Sequence, residues 1–532
     1  MSTSERGGSR GTVAMLVDNP VVRDSRVQKA AQFLADGDWD VTLFGYAPED
    51  EPDEFALGRA RVVRVPSGQM PDVLRLRRAV AHVRNPLSYG SRDKAAFKET
   101  RMRAKVVDGA VRRGRPLEGG DLDGKDLYDR LADRAPFWTA ARYRWTVKRA
   151  RQTRRRSRST GVKWNGRLEK AAVNAMRRLG VREYWRHSYS MPLAHEEAML
   201  QEVLRLRPDV IHCQDFAPLR VAVRAKEILA LAGHRAAVVY DAHEFVAGVS
   251  GHGPAWNAGL VDYERSYIAG ADRIVTVSEG VADELAESYR LSRRPDIVLN
   301  VPLRFDPDSF TADGWVSPGG NTDVRADCGL GPDTPLLLYM GGATEPRGLN
   351  TLIDALDLLP EAHAALVCAT GGRNRFLPVL MDRAERLGVA DRVHLKPYVP
   401  FDKLVGYIRS ADVGVHPLRR GPVNHEVALP TKLFEYAQAR VPVAVSDCRT
   451  MAAFVSEHGN GEVFPADDAQ GLAAAVSEVL ADPEAYRRVY EDGGLAETYS
   501  WEAQAGIYHE IFTDLMDGRV PGTAPEQQAA SL

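Results

Sequence analysis

A chain of 532 residues, 44% hydrophobic and 27% charged, is too long for a single hydrophobic core and reads as two large or three smaller globular domains. Its formal net charge of -2 conceals an uneven distribution. The four cysteines, Cys213, Cys328, Cys368 and Cys448, stand far apart with no C-x-x-C spacing, which suggests neither a disulfide framework nor a thiolate metal site and fits a reducing cytosol.

The polar start MSTSERGGSRG has no apolar stretch long enough for a signal peptide, and no run approaches the ~20 apolar residues of a membrane span. From Thr12 the pattern predicts a strand (TVAMLV), a polar loop Asp18 to Arg26, a helix Val27 to Asp36 and a strand Asp40 to Gly45, followed by a third strand Ala60 to Val65. Such alternation opens an α/β doubly wound domain, whose ligands sit at the carboxyl ends of its strands. Arg26 in the first loop is a candidate contact for a substrate phosphate, against the reading of a solvated loop arginine.

Between about residues 70 and 190 the alternation stops. Ala141 to Ser190 holds sixteen Lys or Arg against two acids, Glu169 and Glu183, with Tyr143, Trp145, Trp164, Tyr184 and Trp185 interleaved and Trp138 just before. Cations with interfacial aromatics suit an anionic membrane surface. A solvated, partly disordered insertion is the other reading. No RNA- or DNA-binding motif accompanies the charge, so no nucleic-acid partner is expected.

Alternation resumes near Met191. Strands are expected at Asp209 to His212, Ala236 to Tyr240, Arg273 to Val277 and Asp296 to Asn300, with Ser278 as a helix N-cap. His243 in YDAHEF and Asp215 in IHCQDF follow strand ends and become candidates for hydrogen bonding or proton handling. Residues 303 to 333 read as a connection. A second α/β unit begins at the strand Leu336 to Met340, runs into Gly341-Gly342 and the loop ATEPRG, and alternates onward to Asp412 to Val415. Helices near Ala469 to Leu480, Pro483 to Tyr490 and Trp501 to Met516 finish the chain. The domain limits expected are 11–302 with the insertion at 70–190, 334–498, a C-terminal helix 499–516 and a disordered tail 517–532.

Within that second unit stands NHEVALPTKLFEYAQARVPVAVSD, Asn424 to Asp447. Leu429 and Pro430 lead into a helix Thr431 to Arg440, and Val441 to Val445 reads as a buried strand. Lys432 and Glu435 lie three apart and share one helix face. A cation at a helix entrance with free backbone N–H groups suits a phosphate, and Glu435 one turn on could accept hydrogen bonds from sugar hydroxyls. An amphipathic surface helix with a weak ion pair is the alternative on the local pattern.

Several segments in order resemble the retaining, nucleotide-sugar-dependent glycosyltransferases of family 4, which have the GT-B fold of two Rossmann-like domains facing across a cleft. These are NPVVRDSRVQKAAQFLADGDWDVTLFG, DVIHCQDFAP, VVYDAHEF, DRIVTVSEGVADEL, LLLYMGGATEPRGLNTLIDAL, DRVHLKPYVPFDKLVGYIRSADVGVHPL and LPTKLFEYAQARVPVAVSD. An LPxKLFEY-type segment marks a branch of that family. The resemblance implies that Gly341, Gly342, Arg347 and Lys432 hold a donor diphosphate, with Pro430 and Thr431 at the helix entrance. It implies that Glu435, as second acid of an E-x7-E motif, holds the ribose, and that the turn at Tyr398 and Val399 supports the base. His243, Arg347 and Lys432 would be the catalytic groups, with no metal and no cofactor beyond the nucleoside-diphosphate sugar. Val427 stands where the first acid of E-x7-E belongs, which leaves Glu426 as a candidate sugar contact alongside Arg26 and Asp215.

The function so implied is transfer of a sugar, with retention, to a cell-surface glycan or lipid-linked acceptor by a cytoplasmic enzyme, peripheral at the inner face of the plasma membrane through residues 141–190. A nucleotide-sugar epimerase of the same fold and a degenerate nucleotide-sugar-binding protein are the alternatives.

Overall fold

A computed structural model describes residues 9–22, 24–47, 52–66, 89, 92–117, 122, 127–156, 175, 178–179, 183–188, 191–249, 254–368, 374–492 and 494–518. The expected tail, 517–532, lies almost wholly outside the described residues, as do Trp164 and much of the basic stretch after Arg156.

Two sheets organise the chain. The first contains β1 (Thr12–Leu16), β2 (Asp40–Ala47), β3 (Asp53–Leu57), β4 (Ala60–Pro66), β5 (Val210–Gln214), β6 (Ala237–Ala242), β7 (Arg273–Thr276) and β8 (Asp296–Ile297). Their spatial order is β3-β4-β2-β1-β5-β6-β7-β8, parallel throughout except for β3. The second sheet holds β9 (Leu336–Met340), β10 (His363–Val367), β11 (Val393–Lys396), β12 (Val413–His416), β13 (Val443–Ser446) and β14 (Gly461–Phe464), in the order β11-β10-β9-β12-β13-β14 and wholly parallel. The central strands β1 and β9 are continuous apolar runs because helices cover both faces of each sheet.

β3 was not foreseen. Its residues are largely exposed, and it is held to the edge strand β4 partly by the pairs Arg61–Glu54 at 2.8 Å and Arg64–Asp53.

The segment expected to be an insertion between 70 and 190 contributes helices. After α1 (Ser25–Asp36) come α2 (Arg92–Arg113), α3 (Leu127–Arg134) and α4 (Phe137–Arg156). They are integrated into the first domain through a buried ion cluster. Asp108 of α2 meets Arg186 at 2.7 Å, Arg220 at 3.1 Å and Arg224 at 2.9 Å, and Arg220 also meets Glu196 at 2.6 Å. Such a cluster pays back its desolvation only when every charge is matched, so it ties α2 to the helix Leu219–Leu231 in one register.

The C-terminal helix Trp501–Asp517 crosses from the second sheet back to the first domain. Phe512 packs edge-on against Trp39 at 5.6 Å, and Trp501, Tyr508, Ile511 and Phe512 join a core that includes strands of both sheets.

A second tie crosses the cleft. The short helix Val423–Val427 docks on the first domain. Asn424 accepts from the Phe245 N–H at 3.1 Å and donates to the Phe245 carbonyl at 3.0 Å, while Ser278 Oγ, also the expected N-cap accepting from Val281 N, donates to the Val427 carbonyl at 2.7 Å. Val427 is buried with the apolar core of the first domain.

Candidate active site

In the second sheet the chain leaves β9 toward β10 on one side and leaves β12 toward β13 on the other, so the β9/β12 crevice is the point where strand order reverses. Ligands of open parallel sheets bind at such crevices, outside the carboxyl ends of the strands. A cavity of about 280 Å³ lies there, closed from the opposite side by His243, Val277 and Asn300 of the first domain.

Seven of the residues expected from the sequence line it: His243, Gly341, Gly342, Arg347, Pro430, Thr431 and Lys432. Gly341 leaves β9 with φ of 129°, a backbone state that side chains rarely adopt, and its N–H donates to the Val367 carbonyl at 3.1 Å. Arg347 ends a short turn, Glu345–Arg347, that is pressed against the loop after β12. A Cβ at Gly348 would fall 1.7 Å from the Pro417 carbonyl oxygen, so only glycine lets that turn approach so closely. The Arg419 N–H to the Pro346 carbonyl, 3.1 Å, closes the same contact. Arg347 makes no ion pair among the described residues and is available to a ligand.

The helix Thr431–Ala439 is held on the sheet by Tyr436, whose hydroxyl donates to the Leu338 carbonyl at 2.9 Å and whose ring packs over Gly414. Pro430 precedes it without side-chain capping, leaving first-turn N–H groups beside the cavity. Lys432 Nζ lies 3.6 Å from Glu435 Oε2. Glu435 is buried beneath the cavity wall, and that same oxygen has no hydrogen-bond partner among the described residues. A buried carboxylate oxygen left unmatched is costly unless a ligand or water completes it.

On the opposite wall, His243 Nε2 is 3.1 Å from Gln214 Oε1 and 3.7 Å from Asp241 Oδ2. Burial opposes its charged form, but the Asp241 carboxylate outweighs that and raises the imidazole pKa above its ordinary value. It is therefore suited to donating a hydrogen bond near neutral pH. Asp215, in a left-handed conformation with φ of 66°, is pushed up to about 7 by desolvation, with His243 opposing the rise. It does not line the cavity.

Other candidates sit elsewhere. Arg26 is no loop contact: it lies within α1, buried, with Nε and Nη2 each 2.9 Å from Asp241 and Nη2 2.9 Å from the Tyr508 hydroxyl. It is therefore a fixed counter-ion beneath the cleft. Glu426 pairs with Arg420 at 3.0 Å, accepts from the Arg449 N–H at 3.0 Å and borders a separate cavity of about 560 Å³ with Glu284 and Asp447. The Val399 side chain is packed in the core and does not line the first cavity.

The sequence reading missed His416, the last residue of β12. It is buried, lines the cavity, stacks on Tyr339 at 6.1 Å and 11°, and has neither ring nitrogen hydrogen-bonded among the described residues. Burial, then Arg347 and Lys432, hold its pKa well below the ordinary value, so it is a neutral imidazole. A polar residue closing an otherwise apolar parallel strand at the switch point was the available signal. Among the described residues no group of three or more His, Cys, Asp or Glu is placed to hold a metal ion.

Residues 321–494 match the family model described as glycosyl transferases group 1, and residues 153–300 match the one described as glycosyltransferase family 4. The fold is GT-B. In sequence, part of the first domain thus resembles family 4 glycosyltransferases and most of the second resembles group 1 glycosyl transferases. The chain is 26% identical over 256 residues, 48% of its own length and 60% of the other's, to a D-inositol 3-phosphate glycosyltransferase of Xylanimonas cellulosilytica. A protein of the same name from Thermomonospora curvata is 27% identical over 264 residues, 48% of this chain and 59% of that one. The chain thus spans about 60% of the length of these curated relatives. Among solved structures, the sucrose-phosphate synthase of Thermosynechococcus elongatus superposes with a TM-score of 0.56 at 15% identity, covering 96% of this chain and 100% of that one. Anabaena HepE in complex with UDP-glucose gives 0.52 at 12% identity, covering 95% and 100%.

Proposed function

We propose that the protein transfers a sugar from a nucleoside-diphosphate donor to a glycan or lipid-linked acceptor of the cell surface, with retention of anomeric configuration. The observation that carries the reading is the convergence of Arg347, Lys432 and the uncapped entrance of Thr431–Ala439 on one cavity at the switch point of the second sheet. Two cations and aligned N–H groups are what a departing diphosphate needs, because its charge grows as the bond to the sugar breaks. The Anabaena neighbour, solved with UDP-glucose, supports a nucleotide sugar as the donor, and the curated relatives named as glycosyltransferases support transfer over epimerisation.

In this scheme the bond from the anomeric carbon to the donor phosphate oxygen breaks, that oxygen keeps the electron pair, and the acceptor oxygen bonds to the same face of the carbon. The acceptor proton passes to the departing phosphate. Arg347 and Lys432 neutralise the diphosphate. Glu435 accepts from the ribose hydroxyls, which would complete its unmatched oxygen. His243, held by Asp241 and Gln214, donates to the sugar or the leaving oxygen, and neutral His416 offers a hydrogen bond from the cavity wall. No metal is assigned a role.

The test is a thermal-shift panel of nucleotide sugars followed by a transfer assay with radiolabelled sugar. A ligand that binds only the folded chain raises its midpoint. The donor so identified should lose its shift in Lys432→Ala and Glu435→Ala; full binding and transfer by both variants would sink the site assignment. Conversion of the nucleotide sugar without an acceptor would replace transferase by epimerase, and binding without release of diphosphate would mark a non-catalytic binder.

A further inference from the structure

The basic stretch separates into two populations once it is folded. Arg186 is consumed by the ion cluster on Asp108, Trp185 is fully buried, and Tyr143 is core. Arg154 pairs with Glu99 at 2.8 Å, Arg144 with Asp133, and Arg103 with Glu99 and Glu197. Glu99, Asp108, Asp133 and Glu197 are thus occupied.

What is left forms one face built from two helices. On α2, Lys98, Arg101 and Lys105 recur at intervals of three and four, and so lie along a single side. On α4, Trp138, Arg142 and Trp145 recur at four and three. The helices run antiparallel in contact. A Cβ at Gly109 would touch Pro136 at 3.0 Å and Ala135 at 3.2 Å at one end, and the Arg154–Glu99 pair ties the other. Lys98, Arg101, Lys105 and Arg142 make no ion pair among the described residues. Burial, then Arg101, Lys94, Arg142 and Lys105, depresses the Lys98 ammonium, and burial, then Arg101 and Arg142, depresses that of Lys105. These cations therefore crowd one another across the helix pair; Asp108 opposes the effect at Lys105 but is itself held by Arg186, Arg220 and Arg224, an arrangement that an external anion relieves.

Beside the cations stand exposed rings. Trp138 is 80% accessible, Phe137 72% and Trp145 46%, with the Phe137 and Trp138 rings 5.3 Å apart. Rings of this size are costly to leave in water and suit the headgroup region of a bilayer. A soluble polyanion would take the cations but would give the indoles no role.

We propose that the α2–α4 face docks on a membrane surface rich in anionic lipids, headgroup phosphates meeting Lys98, Arg101, Lys105 and Arg142 while Trp138 and Trp145 enter the interface. Half of this face comes from α2, outside the 141–190 stretch that the charge count singled out. The inference deepens the proposed transfer to a lipid-linked acceptor, but its readout needs no sugar, so the two can fail separately.

The experiment is co-sedimentation of the full chain with phosphatidylglycerol–phosphatidylcholine vesicles and with pure phosphatidylcholine. Binding is expected to the mixed vesicles and to fall with added salt. Lys98→Glu with Arg142→Glu should weaken it about twentyfold or more, from about fivefold per cation lost. Trp138→Ala, at a position too exposed to disturb folding, should weaken it about fivefold at unchanged salt dependence. Arg235→Glu with Arg375→Glu, the same charge change on exposed positions elsewhere, should leave it intact. Equal binding by all variants, or equal binding to pure phosphatidylcholine, would overturn the proposal. So would soluble inorganic polyphosphate competing fully while Trp138→Ala has no effect, which would make the partner a soluble polyanion.

Discussion

Asn424→Ala tests whether the two domains are held together by the short helix Val423–Val427. The Asn424 amide makes two hydrogen bonds across the cleft to the backbone of Phe245, at 3.1 and 3.0 Å, and Gly248 admits it because a Cβ there would stand 3.1 Å from its oxygen. Each such bond contributes about 0.5–1.5 kcal/mol net, so the substitution removes about 1–3 kcal/mol from the docked arrangement. At 1.4 kcal/mol per tenfold, that is a shift of about 5- to 150-fold toward separated domains. The Ser278–Val427 bond and the C-terminal helix remain, so the chain should stay folded. Small-angle scattering should report a larger radius of gyration in the variant, and the donor found in the thermal-shift panel should bind more weakly because His243 no longer faces Lys432. Scattering and donor affinity both unchanged would refute the idea that this contact governs the cleft.

Removing Arg347, by substitution to Ala, should weaken nucleotide-sugar binding by about 1.5–3 kcal/mol, the range for a hydrogen bond to a charged group, with little loss of thermal stability because its side chain forms no ion pair among the described residues; calorimetric titration checks this. Asp108→Asn should destabilise the first domain by about 3–5 kcal/mol, since it strips the buried Arg220 of one of its two carboxylates, and denaturant unfolding measures it. Lys29, whose Nζ donates to the Val301 carbonyl and lies 4.7 Å from the Trp501 ring, is pulled down to about 7 by burial and by Arg26. Between that value and the ordinary lysine value of about 10.4 the unfolded chain binds the extra proton, so folded stability gains up to about 1.4 kcal/mol per pH unit as pH rises. Lys29→Met should lack that increment when unfolding is compared at successive pH values across this window, and an identical pH slope in both proteins would contradict the assignment.

The second sheet and its cavity were legible because parallel strands leave strong local marks. Apolar runs ending in Gly341-Gly342 and the helix starting at Thr431 are where the sequence puts them, and Arg440 caps that helix in the left-handed conformation one residue after Ala439. What was not legible depends on long-range pairing. Arg26 looks like a loop cation until Asp241, 215 residues away, is seen to hold it. The helices α2 and α4 were hidden because interspersed arginines blur the apolar periodicity that marks a buried helix; the partners of those arginines, Glu99, Asp133 and Glu197, lie on other elements or other turns. β3, short and acidic, gives no strand signal without the arginines of β4 opposite.

Val427 joins both kinds of lesson. Its place in the E-x7-E pattern made it appear a missing acid, a gap in the machinery. In the fold its carbonyl accepts from Ser278, and its Cβ stands 3.0 Å from where a side chain on Gly280 would begin, with the residue buried in the core of the opposite domain. A carboxylate at this depth would face apolar side chains and a backbone carbonyl, with desolvation opposing its charge. Valine suits the position because it is a contact between domains here. The same five-residue helix carries Asn424, so the segment that resembles a sugar-binding motif also positions the wall bearing His243 over the cavity bearing Lys432.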